Sequence, residues 1–157
     1  MAKAFEDYFS EIQTDMIEIC LEYIEDRAEK IFIYGSYEDG TITEYFFYQI
    51  NRMIFKKSEV NKALKPGEPP YDVSSDRQQD AMKIIHDDIE ALITLCKEYK
   101  REMPTQLKIV YDVRKNTVNA DYKYDLMYST DPDRTDLDII EEWIEEERKK
   151  LRNSQIN

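Results

Sequence analysis

Glycine is scarce in this chain, with three residues, Gly35, Gly40 and Gly67, among 157. Phosphate cradles and dinucleotide-binding turns need clustered glycines so that backbone N–H groups can approach the ligand. Three isolated glycines make neither a P-loop nor a dinucleotide fingerprint, and no Gly-x-Ser-x-Gly nucleophile elbow is present. Cysteine is equally sparse: Cys20 and Cys96 fall on two apolar helical patterns with no Cys-x-x-Cys spacing, and read as small buried hydrophobes of a reducing compartment. The single histidine, His86, is followed by Asp87 and Asp88. Neighbouring helical residues point around the axis and not at one ion, so His86 reads as a boundary residue and no metal is expected. No run approaches the roughly 20 apolar residues of a membrane-spanning helix. The opening Met-Ala-Lys-Ala-Phe-Glu-Asp lacks an apolar leader core, which gives a cytoplasmic location as the expectation.

Charge is what the chain has in excess. Thirty-four acidic residues face 22 basic ones, for a formal net charge of −12, and 36% of residues are charged. With 41% apolar residues the composition is that of a folded domain, and residues 1–157 read as one. A chain of this length can bury about two thirds of its unfolded surface. Such an acidic surface repels phosphate backbones and anionic lipid heads while it speeds encounter with basic proteins. Direct nucleic-acid binding and membrane association are therefore not expected.

Residues 4 to 28 carry Phe5, Tyr8, Phe9, Ile12, Met16, Ile19, Cys20, Tyr23 and Ile24 at helical spacing, with an acidic stripe opposite from Glu6 to Asp26. Lys30–Tyr37 and Thr41–Gln49 are β-rich runs around Asp39-Gly40 and predict a hairpin, with a third short strand from Ile50 to Phe55. A short helix over Ser58–Leu64 precedes a surface loop, Lys65–Ser75, which holds Pro66, Pro69 and Pro70. Ser75 with Gln78 reads as a capping box, and Met82, Ile85, Ile89, Leu92, Ile93, Cys96 and Tyr99 mark the buried face of a helix reaching about Arg101. Leu107, Ile109, Tyr111 and Val113 then alternate with Lys108, Val110, Asp112 and Arg114, and the pattern resumes with Val118, Ala120, Tyr122 and Tyr124. A two-residue turn at Lys115-Asn116 would pair Val113 with Val118 and Leu107 with Tyr124, placing Tyr122 and Tyr124 inward. A last helix opens at Thr135 and carries Leu137, Ile140, Trp143, Ile144 and Leu151, with Asn153–Asn157 as a frayed tail. The fold class is α+β, an antiparallel sheet of four or five strands with helices packed mainly on one face.

Among 34 acids, paired carboxylates carry no signal of their own. Asp131, Asp133, Thr135 and Glu142 have the spacing of calcium-loop ligands, but Asp136 stands where that loop needs glycine, and a helix start explains the acids better. Twelve tyrosines are the more informative excess, since tyrosine supplies a large, rigid contact area with a polar tip.

The run Lys30–Tyr48, the capped helix reaching Lys100, and Leu107–Tyr124 closing in Ala120-Asp121-Tyr122-Lys123-Tyr124-Asp125 resemble the YezG-like immunity proteins, small acidic bacterial antitoxins paired with LXG-type secreted toxins, often nucleases. The proline-bearing loop and the Glu-Glu-Trp-Ile-Glu setting of Trp143 depart from that family's pattern. The resemblance implies a non-enzymatic protein without cofactor, which binds a toxin with a basic surface and blocks its active site. Only Asp121, Tyr122, Tyr124 and Asp125 match the family's motif, and with both tyrosines placed inward the contact candidates read from this chain's own acids and exposed tyrosine are Asp121, Asp125, Tyr128, Asp131, Asp133 and Asp112. Two other readings stand beside it: an adaptor or nucleic-acid mimic, and a metal-dependent hydrolase using Asp131, Asp133 and Glu142.

Overall fold

Asp39 and Gly40 take positive φ angles of 50° and 73° in the computed structural model, which describes residues 3–156. Two consecutive left-handed residues make the tight turn that matches strand twist, so β1 (Lys30–Glu38) folds directly onto β2 (Thr41–Ile50) with Glu38 opposite Thr41. Asn51 and Arg52, at 51° and 60°, repeat the device and bring β3 (Met53–Lys56) onto β2. The third strand thus starts at Met53 and not at Ile50. A second hairpin, β4 (Gln106–Asp112) and β5 (Thr117–Lys123), docks β4 against β1, giving an antiparallel five-stranded sheet in the order β3-β2-β1-β4-β5.

β1 is central and apolar on both sides. Ile31 and Ile33 face the layer made by α1 (Phe5–Tyr23) and α2 (Ser75–Glu98), packing with Met16, Cys20, Ile85, Ile89 and Leu92. Phe32 and Tyr34 face α3 (Asp136–Ile156), whose Ile139, Ile140, Trp143 and Ile144 close over Phe47 and Ile54. The α+β class and the five-stranded antiparallel sheet match expectation, and two of the three α-helices share one face. The other face is not open, because α3 covers part of it. Gly35 lies where α2 crosses β1: a Cβ there would come within 3.0 Å of Ile89 Cδ1 and 3.1 Å of Leu107 Cδ1.

Several boundaries shift for local reasons. The first helix stops at Tyr23 and not at 28, because Glu25 and Asp26 turn left-handed and Asp26 N–H closes onto Leu21 O at 3.0 Å. Ser74, not Ser75, caps α2, its hydroxyl accepting from Arg77 N–H. The β4–β5 register is two residues away from the expected one, with Tyr111 opposite Val118 and Leu107 opposite Tyr122. Asp112 Oδ1 accepts from Lys115 N–H, and the turn spans Val113–Asn116, four residues and not two. A shift of two keeps every side chain on its face. Tyr122 remains half-buried, but Tyr124 falls past the strand and is 49% exposed.

The Ser58–Leu64 segment is a 3₁₀ turn over Lys57–Ala63. In the following loop Tyr71 is buried, held by both ends of the Asn61 amide and covered by the Arg27 guanidinium at 4.0 Å. Leu137 is exposed, not part of the buried stripe of α3. That helix continues through Asn153 to Ile156 where a frayed tail was expected, and Asn157 lies outside the described residues.

Candidate functional site

The two edges of the sheet are treated differently. β3 is four residues long, followed at once by the 3₁₀ turn, and Arg148 of α3 donates to Ile54 O at 3.3 Å. β5 is seven residues long and pairs with β4 alone, and six of its residues are exposed. An uncovered strand edge presents a row of unpaired backbone donors and acceptors, which proteins usually shield. Among the described residues no further strand pairs with this edge.

Each side of that edge borders a depression. On the α1–α2 side a groove of about 500 Å³ runs between Phe5 and Phe9 of α1, Pro104, Tyr122 and Tyr124, with Cys96 in its lining. Phe9 meets Tyr122 edge-on at 5.3 Å, and Gln13 Nε2 donates to the Tyr122 hydroxyl at 2.6 Å. Arg101 lies over the Phe5 ring at 4.4 Å and bonds Glu6 at 3.1 Å. Burial pushes the Cys96 thiol above its usual range, so the groove presents a neutral sulfur and not a thiolate. On the α3 side a hollow of about 360 Å³ lies between Val110, Asn119 and Asp121 of the hairpin and Trp143, Glu146 and Glu147 of the helix. Lys108 stands opposite Asp121 with its ammonium 5.2 Å from the Trp143 ring.

After β5 the chain crosses the end of the sheet to reach α3, and Glu38 anchors this crossing. Its buried carboxylate accepts from Met127, Tyr128 and Ser129 N–H and from the Ser129 hydroxyl. Burial alone would raise the Glu38 pKa, and these donors outweigh it and hold it below the usual carboxylate range. Tyr128 sends its hydroxyl to Ser36 Oγ at 3.0 Å, so its polar tip serves the fold. Thr43 donates to Asp136 at 2.5 Å.

The six contact candidates do not form one cluster. Asp121 is on the open edge, and Asp125, Asp131 and Asp133 are exposed along the crossing that begins where β5 ends. Asp112 lies at the far end of the hairpin, about 13 Å along the strand direction from the Asp121 position. Asp131 Oδ1 accepts from Asp133 N–H, Thr135 and Asp138 cap each other, and Arg134 bonds Glu142. The Asp131 and Asp138 carboxylates are accounted for by loop and helix-start geometry. Among the described residues no group of three or more His, Cys, Asp or Glu is arranged to hold a metal ion. His86 lies between Glu44 and Glu90 at 3.1 and 3.2 Å, and the hydrogen bond to Glu44, with the charges of both carboxylates, raises its pKa. No helix among the described residues is long and apolar enough to cross a membrane.

The charge is concentrated. Glu6–Glu29 holds nine acids and one base, and Asp125–Glu147 ten acids and one base, while residues 30–124 hold fifteen of each. The β4–β5 hairpin, Gln106–Lys123, itself carries four bases and two acids. The acidic crossing follows it in the chain, and of the α3 acids Glu146 and Glu147 face it across the hollow, whereas Asp136 bonds Thr43 of β2 and Glu141 pairs with Lys56 of β3. Sequence reasoning missed Phe5, Phe9, Arg101 and Pro104 as surface residues. Their only signal was an aromatic cluster at a helix start, which reads as core until the strand order is known. No protein-family model matches this chain, and no curated protein matches it, so the resemblance to the YezG-like proteins rests on the residues quoted for it.

Proposed function

We propose that this protein is an immunity protein that binds a secreted bacterial toxin inside the cell and neutralises it by covering its basic active site. The observation that carries the reading is the β5 edge, paired on one side only, with the acidic crossing Asp125, Asp131 and Asp133 following it and Glu146 and Glu147 of α3 facing it across a hollow. A patch of one sign beside a contact surface raises the encounter rate with a partner of opposite sign. Affinity then rests on a few desolvated contacts, for which the aromatic groove beside β5 is suited. That the partner is a toxin, and a nuclease, comes from the resemblance. The test mixes the purified protein with the product of the toxin gene adjacent to its own and follows nucleic-acid cleavage. Stoichiometric loss of cleavage is the expected result, and undiminished cleavage at a severalfold excess of this protein overturns the reading.

A further inference from the structure

We infer that β5 takes up its partner by strand addition, and that the added segment is extended with apolar and basic side chains in alternation. The inference deepens the proposed function and rests on it for the identity of the partner. A seven-residue edge offers about 23 Å of backbone for pairing. The two faces of the new ladder would differ. Val118, Ala120 and Tyr122 share the α1–α2 face, since they stand opposite Tyr111, Ile109 and Leu107. Val118 is 46% exposed, so this row ends as an unfinished apolar surface beside the Phe5–Tyr124 groove. Asn119 and Asp121 share the other face, opposite Val110 and Lys108, and look toward Glu146 and Glu147 of α3.

The lysines of that hollow are engaged: Lys150 pairs with Glu147 at 3.0 Å, and Lys108 is drawn to the Trp143 ring. Lys123 reaches Asp121 only at 3.9 Å, and Glu146 has no ion-pair partner among the described residues. A strand laid along β5 alternates its side chains between these faces. Its apolar residues would complete the Val118 row, and its basic ones would meet Asp121 and Glu146. A second copy of this chain would bring another charge of −12 to the same edge, which disfavours self-pairing.

Amide hydrogen exchange on the full-length protein tests this with two probes, the toxin and a seven-residue peptide alternating valine and lysine, with a valine–glutamate peptide as control. Alternate amides of Thr117–Lys123 should slow about tenfold or more with the toxin and with the lysine peptide, and not with the glutamate peptide. If the toxin is neutralised while β5 exchange is unchanged, strand addition fails and the immunity reading survives. If the toxin is not neutralised but the lysine peptide protects β5, the immunity reading fails and the edge specificity stands. Equal protection by both peptides overturns the basic preference. Protection that grows with protein concentration alone, with a dimeric mass, assigns the edge to a second copy and overturns the inference.

Discussion

Two carboxyl groups of this protein are taken from water and handled in opposite ways. Glu38 receives four hydrogen-bond donors and stays ionised. Asp88, on the face of α2 toward α1, has one oxygen sealed from solvent without a donor, and its neighbour across the helix pair is the Asp15 carboxylate. Burial, followed by that carboxylate and Asp87, pushes Asp88 up to about 8, and the proton it keeps can be donated to Asp15. An acid whose folded pKa lies above its unfolded value binds a proton in the folded state that the unfolded chain has released. Its stabilisation is complete below about pH 4 and is lost as pH rises toward 8. His86, also raised, adds a slope of the same sign near neutrality, so the informative quantity is a difference. Asp88→Asn places a permanent donor against Asp15. Thermal melts should show parent and variant diverging from pH 5 to pH 8, with the variant the more stable at pH 8. Parallel curves would mean that Asp88 is ionised in the folded protein.

At the scale of the element, α3 is the most separable part of the fold. It packs through a smaller buried cluster than α1 and α2 do, and Trp143, the only tryptophan, is its centre, edge-on to Phe32 at 5.8 Å and to Phe47 at 5.0 Å. Trp143→Ala should cost about 3–5 kcal/mol, and in the parent protein the Trp143 emission should shift red at a lower urea concentration than the far-ultraviolet ellipticity is lost. Coincident transitions would show instead that α3 and the sheet unfold as one unit. The amphipathic stripe of α3 was legible in sequence, yet a stripe does not say which side of a sheet it will cover. The Asp39-Gly40 hairpin was legible because its two left-handed residues have a composition signature. The end of α1 was not, since Glu25 and Asp26 take the same conformation without glycine. The β4–β5 register was missed by two because a side-chain bond from Asp112 sets the turn length. The acids of the candidate surface could be read from composition, whereas its edge could not, because β4 pairs with β1 across more than sixty residues of chain and thereby leaves β5 outermost.

The net charge of the whole molecule hides a division. α1 with its C-terminal turn and the Asp125–Glu147 segment carry −8 and −9, and the remainder is slightly basic. These two acidic regions belong to helices on opposite faces of the sheet. If total charge steers a basic partner, removing three acids from either region should slow association equally. If the field beside the open edge steers it, the regions differ. The comparison is Glu11→Gln, Glu18→Gln and Glu22→Gln together against Asp131→Asn, Asp133→Asn and Glu146→Gln together, each set bringing the formal charge from −12 to −9. All six side chains are exposed, and the amide introduced by Asp131→Asn keeps an oxygen that can accept from the backbone N–H of residue 133, so both triple variants should fold as the parent does. Stopped-flow association with the basic toxin at low ionic strength should slow on the order of tenfold for the second set and much less for the first. The gap should close toward 1 M salt, where screening cuts the field off within about 3 Å. Equal slowing by the two sets would assign steering to the overall charge and remove the Asp125–Glu147 segment from the binding surface.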